Sequence, residues 1–195
     1  MRNVGAIILA AGGSSRFGQP KQLLPFRGES LVRRAVRAAA EAGCKRIAVV
    51  AGEQRDLIET ELRETPAFVI HNSNWERGLG TSIRVGLQHL LGAHPPADAV
   101  VLLACDQPFV DARTISALVT MQEDSGKPIV ASRYANAFGV PALFDRSFFA
   151  ALLALPDDSG AKTLIESRGN AVAEIAFEEG AIDIDTPFDF ERLRS

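Results

Sequence analysis

The chain has 195 residues, 47% of them hydrophobic, 23% charged and 7% aromatic, with a formal net charge of −3. That balance leaves no basic surplus for a phosphate backbone, which argues against nucleic acid as the main partner. Surface scaling gives roughly 9,000 Å² of folded surface against roughly 30,000 Å² for the open chain, the ratio expected of one domain with a sizeable core.

In chain order, the first apolar run, Val4–Ala10, reads as a strand. It is too short for a membrane span or a signal segment and leads straight into Gly12-Gly13-Ser14-Ser15-Arg16. The expectation is therefore a cytoplasmic protein with no membrane partner. Further β-rich runs follow at Arg46–Val50, Ala67–His71, Ala99–Ala104 and Ile129–Ala131. Between them the period changes to that of amphipathic helices over Ser30–Ala42, Gln54–Glu64, Thr81–Leu91 and Ala112–Gln122, the last with Asp111 as its N-cap. Nearly continuous apolar strands alternating with helices predict a largely parallel, doubly wound α/β sheet. Downstream the rhythm is less regular. It predicts a strand at Val140–Phe144, helices over Arg146–Leu155 and Gly160–Arg168, strands at Val172–Ala176 and Ile182–Ile184, and a closing helix to Leu193 behind the Thr186-Pro187-Phe188-Asp189 start signal.

Cys44 and Cys105 make neither a disulfide framework nor a C-x-x-C site, and the three histidines fall in separate elements, which argues against structural zinc. The first candidate site is Leu9-Ala10-Ala11-Gly12-Gly13-Ser14-Ser15-Arg16 with Lys21 just beyond. A small-residue turn after a strand can present backbone N–H groups to phosphate, while Arg16 and Lys21 supply charge for a leaving pyrophosphate. The alternative is a plain glycine-rich turn with two solvated cations. Neither a Walker A nor a G-x-G-x-x-G pattern is present. The second candidate is Asp106, at the end of the Ala99–Ala104 run and so expected on the same rim as the first loop. Asp106, joined by Asp185, can hold Mg²⁺, which takes one or two carboxylates plus substrate phosphates; both aspartates equally suit turn or capping roles. Cys105 reads as a small hydrophobe, His71 as structural, and Trp75 as either a stacking platform or a residue packed under a loop.

Leu9-Ala10-Ala11-Gly12-x-Ser14-x-Arg16-x-Gly18-x-x-Lys21, continued by Gln22-Leu23-Leu24-Pro25, resembles the signature loop of the MobA-like nucleotidyltransferases. Asn74-Trp75, Gly78, Ser82, Asp106-Gln107-Pro108, Gly139-Val140-Pro141, Gly160-Ala161-Lys162 and Asp183-Ile184-Asp185-Thr186-Pro187 resemble the molybdenum cofactor cytidylyltransferase (MocA-like) branch. The resemblance implies a single Rossmann-like domain of the nucleotide-diphospho-sugar transferase kind, with a nucleotide part at about 1–110 and an acceptor part at about 111–195. It implies transfer of CMP from CTP to the terminal phosphate of molybdopterin, with Mg²⁺ and release of pyrophosphate. Arg16, Lys21 and Asp106 would be catalytic. Leu9, Ala10, Ala11, Gly12, Gly13, Ser14 and Ser82 would bind nucleotide; Gly139, Pro141, Gly160 and Lys162 would bind the acceptor; Asp106 and Asp185 would hold the metal. Implied partners are a molybdenum hydroxylase or its maturation chaperone. Ala11, where guanylyl-transferring relatives carry glycine, implies cytosine over guanine.

The chain departs from the resembled Gly-Asp-x-Gly-Ala-Arg stretch at Asp157-Asp158-Ser159-Gly160-Ala161-Lys162, and Arg133–Phe138 lacks the basic, glycine-bearing loop often seen there. Two further readings therefore stand beside the first: transfer to a sugar phosphate or polyol phosphate, and a non-catalytic cofactor-insertion chaperone.

Overall fold

The computed structural model describes residues 3–13 and 17–194. Strand β1 (Val4–Ala10) is followed by a small hairpin of β2 (Pro25–Phe26) and β3 (Glu29–Ser30), helix α1 (Leu31–Glu41), β4 (Arg46–Ala51), α2 (Arg55–Glu61), β5 (Ala67–His71), α3 (Leu79–Leu91), β6 (Ala99–Ala104) and α4 (Ala112–Ser125). The second half adds β7 (Ile129–Tyr134), β8 (Ala137–Asp145), α5 (Phe149–Leu153), α6 (Ala161–Glu166), β9 (Val172–Ala176) and α7 (Pro187–Arg194). Local chemistry sets several of these boundaries. Ser30 Oγ accepts from the Arg33 N–H and Asp111 Oδ1 from the Thr114 N–H, each an N-cap that satisfies a donor the helix itself leaves open. Helix α4 stops at Gly126, whose φ of 63° is the left-handed conformation glycine adopts without penalty.

The main sheet has seven strands in the order β5-β4-β1-β6-β8-β7-β9. All pairings are parallel except those of β8, which runs antiparallel to both β6 and β7. The chain winds outward from β1 through β4 to β5, then returns to place β6 on the other side of β1. Neighbouring β1 and β6 thus flank a topological switch point, where open α/β sheets form a crevice at the carboxyl ends of their strands. Alternate β1 side chains enter opposite layers. Ala6, Ile8 and Ala10 pack in a cluster that includes residues of α1, α2 and α4, whereas Ile7 packs in the cluster holding α3, α5 and α6. Each fully buried Leu or Ile contributes about 1.5–3 kcal/mol, and these two layers account for most of the core.

A smaller third cluster unites Leu24, Phe26 and Leu31 with Ile184 and Phe190. It ties the β2–β3 hairpin to the C-terminal segment and brings two distant stretches to the rim where β1 and β6 end.

Three expectations require correction. Ile182–Ile184 is not a strand: a 3₁₀ turn at Glu178–Ala181 precedes it, and the segment crosses the end of the sheet, with the Ile184 N–H donating to the Asp106 carbonyl. The helix expected over Arg146–Leu155 is a 3₁₀ turn, Arg146–Phe148, begun by Asp145 Oδ1 accepting from the Ser147 N–H, and then the five-residue α5. Arg133–Phe138 is not a loop but the hairpin of β7 and β8, turned by Ala135 and Asn136 at φ 48° and 60°. Asn enters the left-handed region readily; Ala135 does so under strain. The total surface of 9322 Å² agrees with one domain of this length. Among the described residues no helix is long and apolar enough to cross a membrane.

Candidate active site

A cavity of about 360 Å³ opens at the switch point, lined by residues from the β1 loop, the Lys21 turn, the N-terminal end of α3 and the end of β6. Its most charged feature is Lys21. The Lys21 Nζ donates to Asp106 Oδ2 at 2.6 Å and to Asp185 Oδ1 at 3.0 Å, with only 13% of the lysine side chain exposed. Burial would lower the Lys21 pKa, but the two carboxylates outweigh it and hold the ammonium above its ordinary value. Asp106 arrives from the end of β6, Lys21 from the turn after the β1 loop, and Asp185 from the C-terminal segment docked by Ile184.

Gln22 organises the loop from behind. It is buried, and its Nε2 donates to the Ala10 and Gly12 carbonyls at 3.0 and 2.7 Å, so the turn after β1 is held by a side chain. On the loop's other flank, the Trp75 indole lies against Gly13 and Gly52. A Cβ added to Gly13 would sit 2.9 Å from the ring, and one added to Gly52 would sit 2.7 Å from it and 2.9 Å from the Ala11 carbonyl. These two glycines make room for the tryptophan. Trp75 therefore both packs against the loop and lines the cavity.

Of the expected nucleotide-binding residues, Leu9, Ala11, Gly12 and Ser82 line the cavity. Ala10 turns its methyl into the core and faces the site only through the backbone that Gln22 holds. Gly13 lies under Trp75. Ser14 and Arg16 lie outside the described residues. Ser82 Oγ accepts from Asn72 Nδ2 at 3.0 Å, while Asn72 also donates to Thr81 Oγ1 and accepts from the Asn74 N–H, so a buried amide sets the first turn of α3.

The expected acceptor residues are more dispersed. Gly139 packs under Tyr134, whose Oη would be 1.9 Å from an added Cβ. The Pro141 carbonyl accepts from the buried Ser132 Oγ, and Val140 between them lines the cavity. Gly160 abuts Leu79 at the rim. Lys162 is exposed, with its ammonium 3.8 Å from Glu166, one helical turn along.

Asp183 reaches the surface, yet its carboxyl is pushed up to about 6 by partial withdrawal from water and by the charges of Asp106 and Asp185. Burial, and then the charge of Asp106, raises the Cys105 thiol, leaving it a small hydrophobe without thiolate character. Among the described residues no group of three His, Cys, Asp or Glu side chains gathers to hold a metal; the convergent pair is Asp106 and Asp185 around the Lys21 ammonium. Sequence reasoning did not single out Asn72, Arg77, Leu79 or Arg84 and treated Gln22 only as part of a motif. The available signal was the polarity of Asn72 just past the end of β5 and of Gln22 at the head of the apolar Leu23-Leu24-Pro25 approach to the hairpin, where an unpaired buried amide would be costly.

The pattern of the MobA-like NTP transferase domain matches residues 6–172. The purine catabolism protein PucB of Bacillus subtilis (strain 168) is 28% identical over 96% of this chain and 94% of its own length. The molybdenum cofactor cytidylyltransferase of Escherichia coli (strain K12) is 25% identical over 97% and 95%. The crystal structure of Rv0371c from Mycobacterium tuberculosis H37Rv superposes with a TM-score of 0.82 at 32% identity, covering 98% of this chain and 97% of that one, and Rv0371c has also been solved with manganese. A match that runs from β1 to the start of β9, joined to a near full-length superposition at this identity, assigns the chain to its family: it is a nucleotidyltransferase of the MobA-like NTP transferase domain family.

Proposed function

We propose that this protein transfers CMP from CTP to the terminal phosphate of molybdopterin, forming the cytosine dinucleotide and releasing pyrophosphate. The observation that carries the proposal is the meeting of Lys21, Asp106 and Asp185 at the switch-point cavity, directly beside the β1 loop. In this reading the nucleotide part is about 1–110, with Leu9 to Ser14 and Ser82 around CTP, and the acceptor part is about 111–195, with Gly139, Pro141, Gly160 and Lys162 on its side.

The residues account for the chemistry as follows. An oxygen of the acceptor phosphate, already anionic, forms the new bond to the α-phosphorus, the bond to the bridging oxygen breaks, and pyrophosphate leaves with that electron pair. No side-chain nucleophile or general base is needed; alignment and charge neutralisation suffice. The β1 loop, fixed by Gln22, seats the triphosphate, and Lys21 offers its ammonium to the departing phosphates with Arg16 as a second cation. A lost contact of this kind typically costs about 10²–10³ in rate. Asp106 and Asp185 would hold Mg²⁺. The fit rests on the geometry seen here, where the two carboxylates already converge on one cation, the Lys21 ammonium, and two carboxylates plus substrate phosphates and water are what Mg²⁺ takes. When bound, the ion supplies charge neutralisation at the phosphates.

Cytosine preference is supported by Ala11, whose side of the loop faces the cavity. A cytoplasmic setting, with a molybdenum hydroxylase or its maturation chaperone receiving the product, completes the proposal; the free thiols of Cys44 and Cys105 support the compartment. Lys162, standing where the resembled stretch carries arginine and lacking its bidentate grip on phosphate, supports one second reading, in which the same transfer serves a sugar phosphate or polyol phosphate. The test is pyrophosphate release with each of the four NTPs, with and without molybdopterin. Release dependent on both CTP and molybdopterin is expected. Release with another phosphorylated acceptor alone would favour the second reading, and none with any acceptor would leave a cofactor-insertion chaperone.

A further inference from the structure

Outside the Lys21 centre, a polar cluster around Asp157 joins the two halves of the molecule behind the cavity wall. The backbone of residues 155–158 lies directly on the start of α3. Gly78 has a φ of 125°, and a Cβ there would sit 2.5 Å from the Asp157 carbonyl oxygen and 2.6 Å from the Asp158 Cα; one on Gly80 would sit 2.1 Å from the Pro156 oxygen. No other residue permits this contact. The Gly80 N–H donates to the Asp157 carbonyl at 2.9 Å, and Arg84 Nη1 donates to the Leu155 carbonyl at 2.8 Å. The Asp157 carboxylate then takes two guanidiniums, Arg84 through Oδ1 and Arg77 through Oδ2, from either side of the glycine-bearing turn.

The face of α3 held in this way is part of the cavity. Gly78, Leu79 and Ser82 line it, and Leu79, half exposed, touches Gly160 at the exit of the clamped segment. The Asp157 carboxylate therefore joins these main-chain bonds in fixing the spacing between the wall around the nucleotide and the segment leading into α6. Partly exposed ion pairs add little to global stability, so this one is better suited to setting a position than to holding the fold.

We infer that Asp157, gripped by Arg77 and Arg84, is a positioning residue that locks segment 155–160 to the Gly78–Ser82 wall and so aligns the acceptor with the nucleotide. The inference rests on the transfer reaction proposed above. Misalignment of reacting atoms by about 1 Å can cost on the order of 10²-fold in rate, so the effect should fall on kcat.

The experiment compares wild type with Asp157→Ala and Arg77→Gln; the Arg77 side chain is mostly exposed, so its replacement is expected to leave folding intact, with the circular dichroism melt as the check. Expected for Asp157→Ala is a fall in kcat of about 10- to 100-fold with molybdopterin, with the calorimetric Kd for CTP within twofold of wild type; Arg77→Gln gives part of the loss. Raising the salt concentration should slow wild type by a larger factor than Asp157→Ala, so that the two converge, a response that a packing role would not give. A kcat within twofold of wild type, or a CTP affinity falling in parallel with kcat, would overturn the inference. Should wild type fail to use molybdopterin, the transfer reading falls and amide exchange decides the clamp. Faster exchange at Gly80 and over 157–161 in Asp157→Ala supports it, and unchanged exchange removes it.

Discussion

The Ile184 N–H donates to the main-chain carbonyl of Asp106 at 3.0 Å, and Ile184 itself is fully buried beside Leu24, Phe26 and Phe190. This single backbone bond joins the end of β6 to the C-terminal segment. With the Ile184 side chain committed to the core, its neighbours Asp183 and Asp185 are left on either side of it at the rim, and Asp185 meets the cation that Asp106 also holds. Helix α7 secures the arrangement: Asp189 Oδ2 accepts from the Thr186 N–H and hydroxyl, and Thr186 Oγ1 accepts from the Asp189 N–H.

Lys21→Met retains most of the side-chain stem and removes the ammonium from between the carboxylates. Without nucleotide, Mn²⁺ should then bind about tenfold more tightly than to wild type, equivalent to roughly 1.4 kcal/mol. Turnover should fall by about 10²–10³, since the leaving phosphates lose their cation. Electron paramagnetic resonance of free Mn²⁺ and steady-state kinetics provide the two readings. Equal Mn²⁺ affinity in both proteins would show that the ammonium does not hold the cation's place.

Gln22→Ala removes the donors to the Ala10 and Gly12 carbonyls. Stranding buried acceptors costs about 1–3 kcal/mol. A lower midpoint in urea with an unchanged slope is expected, together with weaker CTP binding as the loop loses its support. Wild-type CTP affinity in a destabilised variant would separate loop geometry from nucleotide binding.

Ala11→Gly tests base choice at the cavity wall. Removing the methyl should raise kcat/KM for GTP relative to CTP, although one methyl group is worth only about 1–3 kcal/mol of discrimination and need not complete a switch. Kinetics with both nucleotides in both proteins decides the point. Equal use of GTP and CTP by wild type would defeat the cytidylyl assignment.

Asp111 is the N-cap of α4. Burial would raise its pKa, but the bonds from Thr114 and Arg113 prevail and hold it below the usual carboxylate value. Asp111→Ala should lower stability by about 1 kcal/mol near neutral pH. Because the folded-state pKa is depressed, the charged cap's contribution is complete above the unfolded carboxylate value and is lost as pH falls through the folded one. Urea titrations at neutral and strongly acidic pH should show the difference from wild type shrinking in acid; a constant difference would assign the effect to packing.

Chain order and periodicity encode most of the architecture. Val4–Ala10, Ala67–His71, Ala99–Ala104 and Val172–Ala176 are strands with the boundaries their apolar patterns predict, and Asp111 and Thr186 start helices as their cap chemistry requires. The loop after β1 and the carboxylate after β6 follow from the same local signals. Other features depend on residues far apart in the chain, and no local pattern carries them. They include the reversed β8, the crossing of 182–184 over the sheet end, and the Gln22 support of the loop. The Trp75 contact with Gly13 and Gly52 belongs with them, as do the two arginines on Asp157. The physical reason is that a strand or cap is stabilised by neighbours within a few residues, whereas the partner of a buried amide or a shared ammonium is chosen by packing. Only once the third cluster had seated Ile184 did Asp185, rather than Asp183, become the carboxylate that meets Lys21.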